Sequence, residues 1–124
     1  MKRRASTPIL KKTLSGSRQM IHDEILTMLD APPTGEAAPS LDDVEHTLTA
    51  GYAEALALEA ERWRLERSLA GAAARLGEHP TGEPDVAELG RRLAATDGTL
   101  ADLRTLLSSL RARADELRTT SNAA

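Results

Sequence analysis

The sequence predicts an all-α protein: an antiparallel coiled-coil helical hairpin, with a short N-terminal amphipathic helix and a disordered basic arm before it. Three observations predict this class. The 124-residue chain has no Phe, one Trp and one Tyr, and its apolar mass is mostly Leu and Ala. Two long segments each keep a heptad phase, and a short segment containing Pro and Gly separates them. Leu and Ala favour helices over sheets, and a sustained heptad phase predicts helix pairing.

Composition excludes several classes of function and location. The chain has no cysteine, which excludes a disulfide framework, a thiolate zinc site and a Cys nucleophile. No apolar run approaches the ~18 residues that a membrane-spanning helix needs. No apolar stretch follows the basic N-terminus, so a secretory signal is not expected. We therefore expect a cytoplasmic protein.

Charge is distributed unevenly behind a net charge of -3. The first 22 residues carry six Lys or Arg and no Asp or Glu, whereas the remainder carries 10 basic and 19 acidic residues. Residues 1–16 also contain Pro8, Gly16 and several Ser and Thr. This composition predicts that residues 1–16 form a disordered basic arm.

A short amphipathic helix is predicted over residues 17–30. Ile21, Ile25 and Met28 recur at helical spacing along one face. The helix is expected to end before two consecutive prolines, because Pro cannot continue the hydrogen-bond ladder. Residues 31–40 form a Pro/Gly linker.

The hairpin is predicted to span residues 41–119, with its first helix over 41–77. Ser40 is suited to the N-cap, with Asp43 three residues later as its partner in a capping pair. Gly77 suits the residue that follows the last helical turn, because glycine adopts the left-handed conformation that commonly ends helices.

The second helix of the hairpin is predicted over residues 84–119, and residues 120–124 are expected to fray. Pro84 is suited to the first helical position. Gly98 weakens the middle of this helix by about 1 kcal/mol, so a break there is an alternative. The heptad phase continues across Gly98, which favours one helix with a local bend.

The heptad phase predicts which residues form the seam between the two helices. In the first helix nine of eleven a and d positions are apolar, and in the second nine of ten. Folding the chain at the turn sets an antiparallel register and brings opposite charges together on the flanks. The predicted pairs are Leu58 with Leu103, Leu69 with Leu93, Glu45 with Arg118, and Glu59 with Arg104. Arg62 is a charged residue in the seam, and its guanidinium is expected to reach out to Glu59, Glu66 or Asp97.

A second apolar stripe lies outside this seam. Tyr52, Leu56 and Trp63 follow one side of the first long helix and include both aromatic residues of the chain. A stripe of large apolar residues is expected to be covered. The predicted cover is the 17–30 helix, a partner protein, or a second copy of the chain in a four-helix bundle.

No constellation for catalysis is visible in the sequence. The histidines show no H-E-x-x-H spacing, and the glycines form neither a phosphate-binding loop nor a nucleophile elbow. We therefore predict a protein that is not an enzyme and that needs no cofactor and no metal.

The predicted function is protein–protein interaction or an adaptor role, exerted through helix faces of the hairpin. The predicted binding residues are Tyr52, Leu56 and Trp63, and the partner is a protein of unknown identity or a second copy. The alternative is a small regulator that binds nucleic acid, or an anionic membrane surface, through the basic arm. The residues of this alternative are Lys2, Arg3, Arg4, Lys11, Lys12 and Arg18.

Overall fold

The part of the chain that the structure describes contains three α-helices, one short 3-10 turn and a non-helical linker over residues 31–40. This computed structural model describes the backbone of residues 6–78 and 80–123, and the side chains of residues 18–78 and 81–121. The helices are α1 (Ser6–Asp30), α2 (Leu41–Leu76) and α3 (Glu83–Ala123), with the 3-10 turn at Pro80–Gly82. The all-α class is thereby confirmed. None of the helices in this part of the chain is long and apolar enough to cross a membrane.

α2 spans nearly the predicted residues, and α3 begins one residue before its predicted start. The Ser40 hydroxyl accepts a hydrogen bond of 3.1 Å from the backbone N–H of Asp43, which is the predicted N-cap of α2. α3 runs through Gly98 without a break. A methyl group built at Gly98 would meet nothing within 4 Å, so this glycine costs helix propensity only. The buried residues Thr96 and Leu100 on either side compensate for that cost.

The two ends of the helical part differ from the prediction. α1 begins at Ser6, so residues 6–16, which were assigned to the disordered arm, have helical backbone. The predicted disorder of the arm is not confirmed, and residues 1–5 lie outside the described residues. α3 continues to Ala123, past the predicted fraying at 120. The hydroxyls of Thr119 and Thr120 donate to carbonyls one turn earlier, which ties them into the helix.

The chain divides into two units that are described separately. The first unit comprises Met1–Glu54 and Thr105–Ala124, and the second comprises Ala55–Arg104. In the first unit Arg118 pairs with Glu45 at 2.6 Å, as predicted, and this hydrogen bond raises the pKa of Arg118 above its usual value. In the second unit Arg104 pairs with Glu59, again as predicted. Within the second unit Glu59 pairs with Arg104 and Arg62 pairs with Asp97, so the parts of α2 and α3 in that unit run antiparallel.

Burial in each unit follows the predicted seam. Every a and d position of both long helices is buried or half-buried. The core side chains of the second unit include Leu58, 1% exposed, and Leu103, 5% exposed. Arg62, the charged seam residue, contacts Asp97 at 2.7 Å, as expected. The side chain of Arg62 is 42% exposed, so its guanidinium reaches water while its stem lies along the seam.

α1 docks in the first unit as the third helix. Ile25 is fully buried, and its Cδ1 atom would lie 3.7 Å from a Cβ atom at Gly51. That same Cβ would collide with the side chain of Leu107, so glycine is required for the close approach of α2 to its neighbours. The Thr47 hydroxyl, 2% exposed as a residue, donates a 2.8 Å hydrogen bond to Glu24 of α1.

Arg113 on α3 caps the C-terminus of α1. Its guanidinium donates hydrogen bonds of 3.3 Å to the carbonyl of Ala31, 3.2 Å to that of Leu29 and 3.5 Å to that of Met28. These carbonyls have no partner within the helix ladder, and the C-terminus of a helix carries partial negative charge. Arg113 therefore supplies hydrogen-bond donors to the carbonyls at the C-terminus of α1 and links that end of the helix to α3 in the first unit.

Candidate protein-binding face

The predicted binding residues are exposed on α2. Tyr52 is 41% exposed, Leu56 66% and Trp63 58%. Tyr52 belongs to the first unit, and Leu56 and Trp63 belong to the second. Within the second unit Leu56 and Trp63 are seven residues apart on α2, so both project from the same side of the helix. Because the seam is formed by other positions, these side chains meet water.

The local seam explains why this side of α2 faces outward. Ala55, Leu58 and Leu65 are all less than 10% exposed and hold the opposite side of the helix against α3. Leu56 and Trp63 fall between these positions in the heptad, roughly 100–150° around the helix from the seam. A helix held along one side by buried contacts presents such residues on a rigid scaffold.

Trp63 lies beside a positively charged residue, Arg67. The Arg67 guanidinium carbon lies 4.7 Å from the centre of the Trp63 ring, which is a cation–π contact between residues one turn apart. This contact places positive charge over one face of the indole. Arg64, Arg67 and Ser68 line a shallow depression beside it. The face therefore combines a large apolar surface with a basic rim.

α1 was one of the three predicted covers of the stripe, and in the first unit its described side chains do not bury Tyr52. Ile25 was expected to lie on the exposed stripe, but it is buried beside Gly51 and Leu107 in the first unit. Tyr52, in the same unit, remains 41% exposed. The heptad phase predicts only the contacts between the two long helices, so it could not predict where a third helix would pack. Gly51, which has no side chain, supplies the groove that Ile25 fills.

The residues of the alternative nucleic-acid or membrane site lie mostly outside the described residues. The side chains of Lys11 and Lys12 are not among those described, and neither is any part of Lys2, Arg3 and Arg4. The described member is Arg18, whose Nε lies 2.6 Å from a carboxylate oxygen of Glu54. Arg18 is therefore engaged with the body of the first unit.

Comparisons with known proteins leave the function to be argued from the residues. No family model, curated protein or solved structure matches this chain. Among the residues that the structure describes, no three His, Cys, Asp or Glu side chains come together as metal ligands would.

Two functional features were missed by sequence reasoning. The contact between Arg67 and Trp63 was detectable, because residues four apart on a helix are neighbours. The Arg113 cap was not detectable from spacing, because it joins residues 82 to 85 apart in the chain. Such a contact depends on where α1 docks, and the sequence pattern gave no position for it.

Proposed function

We propose that this protein is a non-enzymatic interaction or adaptor module that acts through one helix face of a coiled-coil hairpin. The observation that supports it is the exposure of Leu56 and Trp63 at helical spacing on α2. Trp63 and the neighbouring Arg67 are two residues of the kinds enriched at binding hot spots, where Trp, Tyr and Arg dominate. A partner helix laid along this face would bury the indole and the leucine together.

A photo-crosslinking experiment on the full chain tests this function. A benzophenone amino acid is introduced at Leu56, and separately at Ala57, which is also exposed but lies about 100° around the helix. Irradiation in the producing cells is expected to give a discrete adduct from position 56 and none from position 57. The adduct is expected to disappear when Trp63→Ala is added.

The controls decide what the adduct means. Far-UV circular dichroism of each variant must match the unmodified protein, since the substituted residues are exposed. Equal labelling at 56 and 57, or an adduct that survives Trp63→Ala, would refute recognition through this face.

A second candidate function is supported by charge. The six basic and no acidic residues among the first 22 would favour contact with a polyanion, either nucleic acid or anionic lipid. Binding of the full chain to duplex DNA, or to vesicles containing phosphatidylserine, is measured against salt concentration. Binding through the arm requires a steep loss of affinity with salt and its abolition when residues 1–16 are removed. A flat salt dependence would exclude it.

A further inference from the structure

We infer that the partner of this protein is an acidic helical segment of another protein. Its apolar side chains cover Leu56 and Trp63. Its carboxylates pair with Arg64 and Arg67, which lie beside the indole on α2. All four residues belong to the second unit. The inference rests on the proposed function and names the chemical class of the partner.

Two arginines on the outer side of α2 have no carboxylate partner of their own. Among the side chains that the structure describes, neither Arg64 nor Arg67 forms an ion pair or donates a hydrogen bond. Both line the same shallow depression, together with Ser68. They are three residues apart on the helix, so their like charges are neighbours and repel each other. A carboxylate placed beside both would relieve that repulsion and accept charge-assisted hydrogen bonds.

The acidic residues one turn from Trp63 are already engaged with other arginines. Glu59 pairs with Arg104 on α3, and a carboxylate oxygen of Glu66 lies 3.9 Å from Arg62. These carboxylates therefore do not balance the two unpaired arginines. This part of α2 carries local positive charge, although the net charge of the chain is -3.

The cation and the apolar surface meet at one place. The Arg67 guanidinium carbon lies 4.7 Å from the centre of the Trp63 ring. A guanidinium carries five N–H donors around its edge, so contact with a ring still leaves donors for an acceptor. A segment that buries the indole therefore brings its own charged side chains up to Arg67. Acidic side chains are stabilised there, and basic side chains are repelled.

Other occupants fit this charge less well. The first 22 residues of the same chain carry six basic and no acidic residues, so they would add positive charge to the face. The same side of a second copy would add two further unpaired arginines. A nucleic acid would meet a chain in which 19 acidic residues outnumber 16 basic ones, and each phosphate outside the two arginines would be repelled. A short acidic segment avoids all three conflicts.

The spacing along α2 predicts the pattern of the partner sequence. Leu56 and Trp63 are two helical turns apart, which is about 10 Å, and Arg67 follows one turn later. A helix packed along this side presents two apolar residues seven positions apart. It also carries Asp or Glu three or four positions beyond the apolar residue that contacts the indole.

Peptide selection tests the chemistry of the partner. A phage-displayed library of random peptides of about 16 residues, long enough for four helical turns, is panned against the full chain. Peptides that also bind the Trp63→Ala variant are removed. The retained peptides are expected to be enriched in Asp and Glu relative to the unselected library, and to contain the apolar pair seven positions apart.

Substitution of the arginines tests the contact itself. Fluorescence polarisation of a retained peptide is expected to show a dissociation constant raised about tenfold or more by Arg64→Ala or Arg67→Ala. Added salt should weaken binding, because exposed charges are screened. Arg111→Ala is the matched control and should leave the dissociation constant unchanged, since Arg111 is exposed on α3 in the first unit and has no ion pair among the described side chains.

Several results would overturn the inference. They are retained peptides without an acidic bias, no retained peptide at all, or a dissociation constant that neither arginine substitution raises. Displacement of the peptide by oligothymidine at a lower concentration than by unlabelled peptide would assign the face to nucleic acid instead. Far-UV circular dichroism of each variant must match the unmodified chain, as expected for substitutions of exposed residues.

Failure of this inference differs from failure of the proposed function. If position 56 forms a Trp63-dependent adduct in cells but the retained peptides are not acidic, the face binds a partner of other chemistry. If position 56 forms no specific adduct, the proposed function falls and this inference falls with it. An adduct that is lost when Arg64→Glu and Arg67→Glu are combined, and kept in Arg111→Glu, supports both.

Discussion

The first unit contains parts of three helices and the second contains parts of two, and their burial differs accordingly. In the first unit Ile25, Val44, Leu110 and Ala114 are fully buried. In the second, five seam residues toward the hairpin turn are only half-buried: Leu69, Leu76, Val86, Leu89 and Leu93. A pair of helices buries one stripe of each, whereas a third helix closes the remaining side. The second unit thus keeps apolar surface exposed, and this is where Leu56 and Trp63 lie.

Introducing a charge into the seam should lower the stability of the chain more than any other change considered. It tests whether the folding of each unit depends on the seam. Leu107→Asp in the first unit and Leu100→Asp in the second each introduce an unpaired carboxylate at a residue 3% and 1% exposed. Burying such a group costs several kcal/mol, comparable with the ~5–15 kcal/mol total stability of a domain. Loss of the cooperative circular-dichroism melt is expected for both. Leu56→Asp, at a residue 66% exposed, is the control and should melt like the unmodified chain.

Removing Ile25, a buried side chain of α1, should lower the stability of the first unit more than that of the second. Ile25→Ala deletes the fully buried residue that packs beside Gly51 and Leu107, at a cost of about 2–5 kcal/mol. Amide hydrogen exchange should accelerate in α1 more than in the part of α2 and α3 that forms the second unit. Uniform acceleration along the whole chain would mean that the two units unfold together and that the distinction between them has no energetic basis.

Substituting one glycine in each unit compares how closely the two units are packed around a single side chain. Gly51→Val forces its Cβ into Leu107, whereas Gly98→Val points into open space. Both gain similar helix propensity, so the difference between their free energies of unfolding reports the clash, expected at about 1–3 kcal/mol. Urea titration measures it. Equal stabilities for the two variants would show that the first unit has room beside Gly51.

The smallest effect is expected at the exposed ion pair of the second unit. Asp97→Asn removes the carboxylate that contacts Arg62, where both side chains are more than 40% exposed. The expected loss is about 0.2–1 kcal/mol, and it should shrink as salt is added. Thermal melts at low and high salt measure it. A loss that persists in high salt would indicate that Asp97 stabilises the helix by a route other than its charge.

The sequence predicted features that depend on local spacing. The capping pair at Ser40, the continuity of α3 and the pairs of Glu45 with Arg118 and Glu59 with Arg104 all follow from periodicity and one turn. The start of α1 was not predicted, because Gly16 and its polar neighbours resemble a linker in composition. Glycine lowers the stability of a helix by about 1 kcal/mol relative to alanine, so favourable contacts of that size elsewhere are enough to keep Gly16 helical.

The sequence predicted which residues form the candidate face, but it did not predict which other parts of the fold lie beside them. Tyr52, Leu56 and Trp63 were recognised because they lie at helical spacing outside the seam. Which of the three predicted covers applies was left open, because the position of α1 depends on its contact near Gly51 and Leu107, which involves three helices. Spacing along one helix contains no information about contacts of that kind.

The Arg113 cap has a consequence for how the chain is made. The carbonyls of Met28, Leu29 and Ala31 leave the ribosome first, and their cap follows 82 to 85 residues later. At about 5–20 residues per second, synthesis takes roughly 4–17 s to reach the arginine. During that interval the end of α1 has only water as its partner. Codons that slow synthesis between Ala31 and Arg113 would therefore lengthen the life of a nascent chain whose first helix is still unattached.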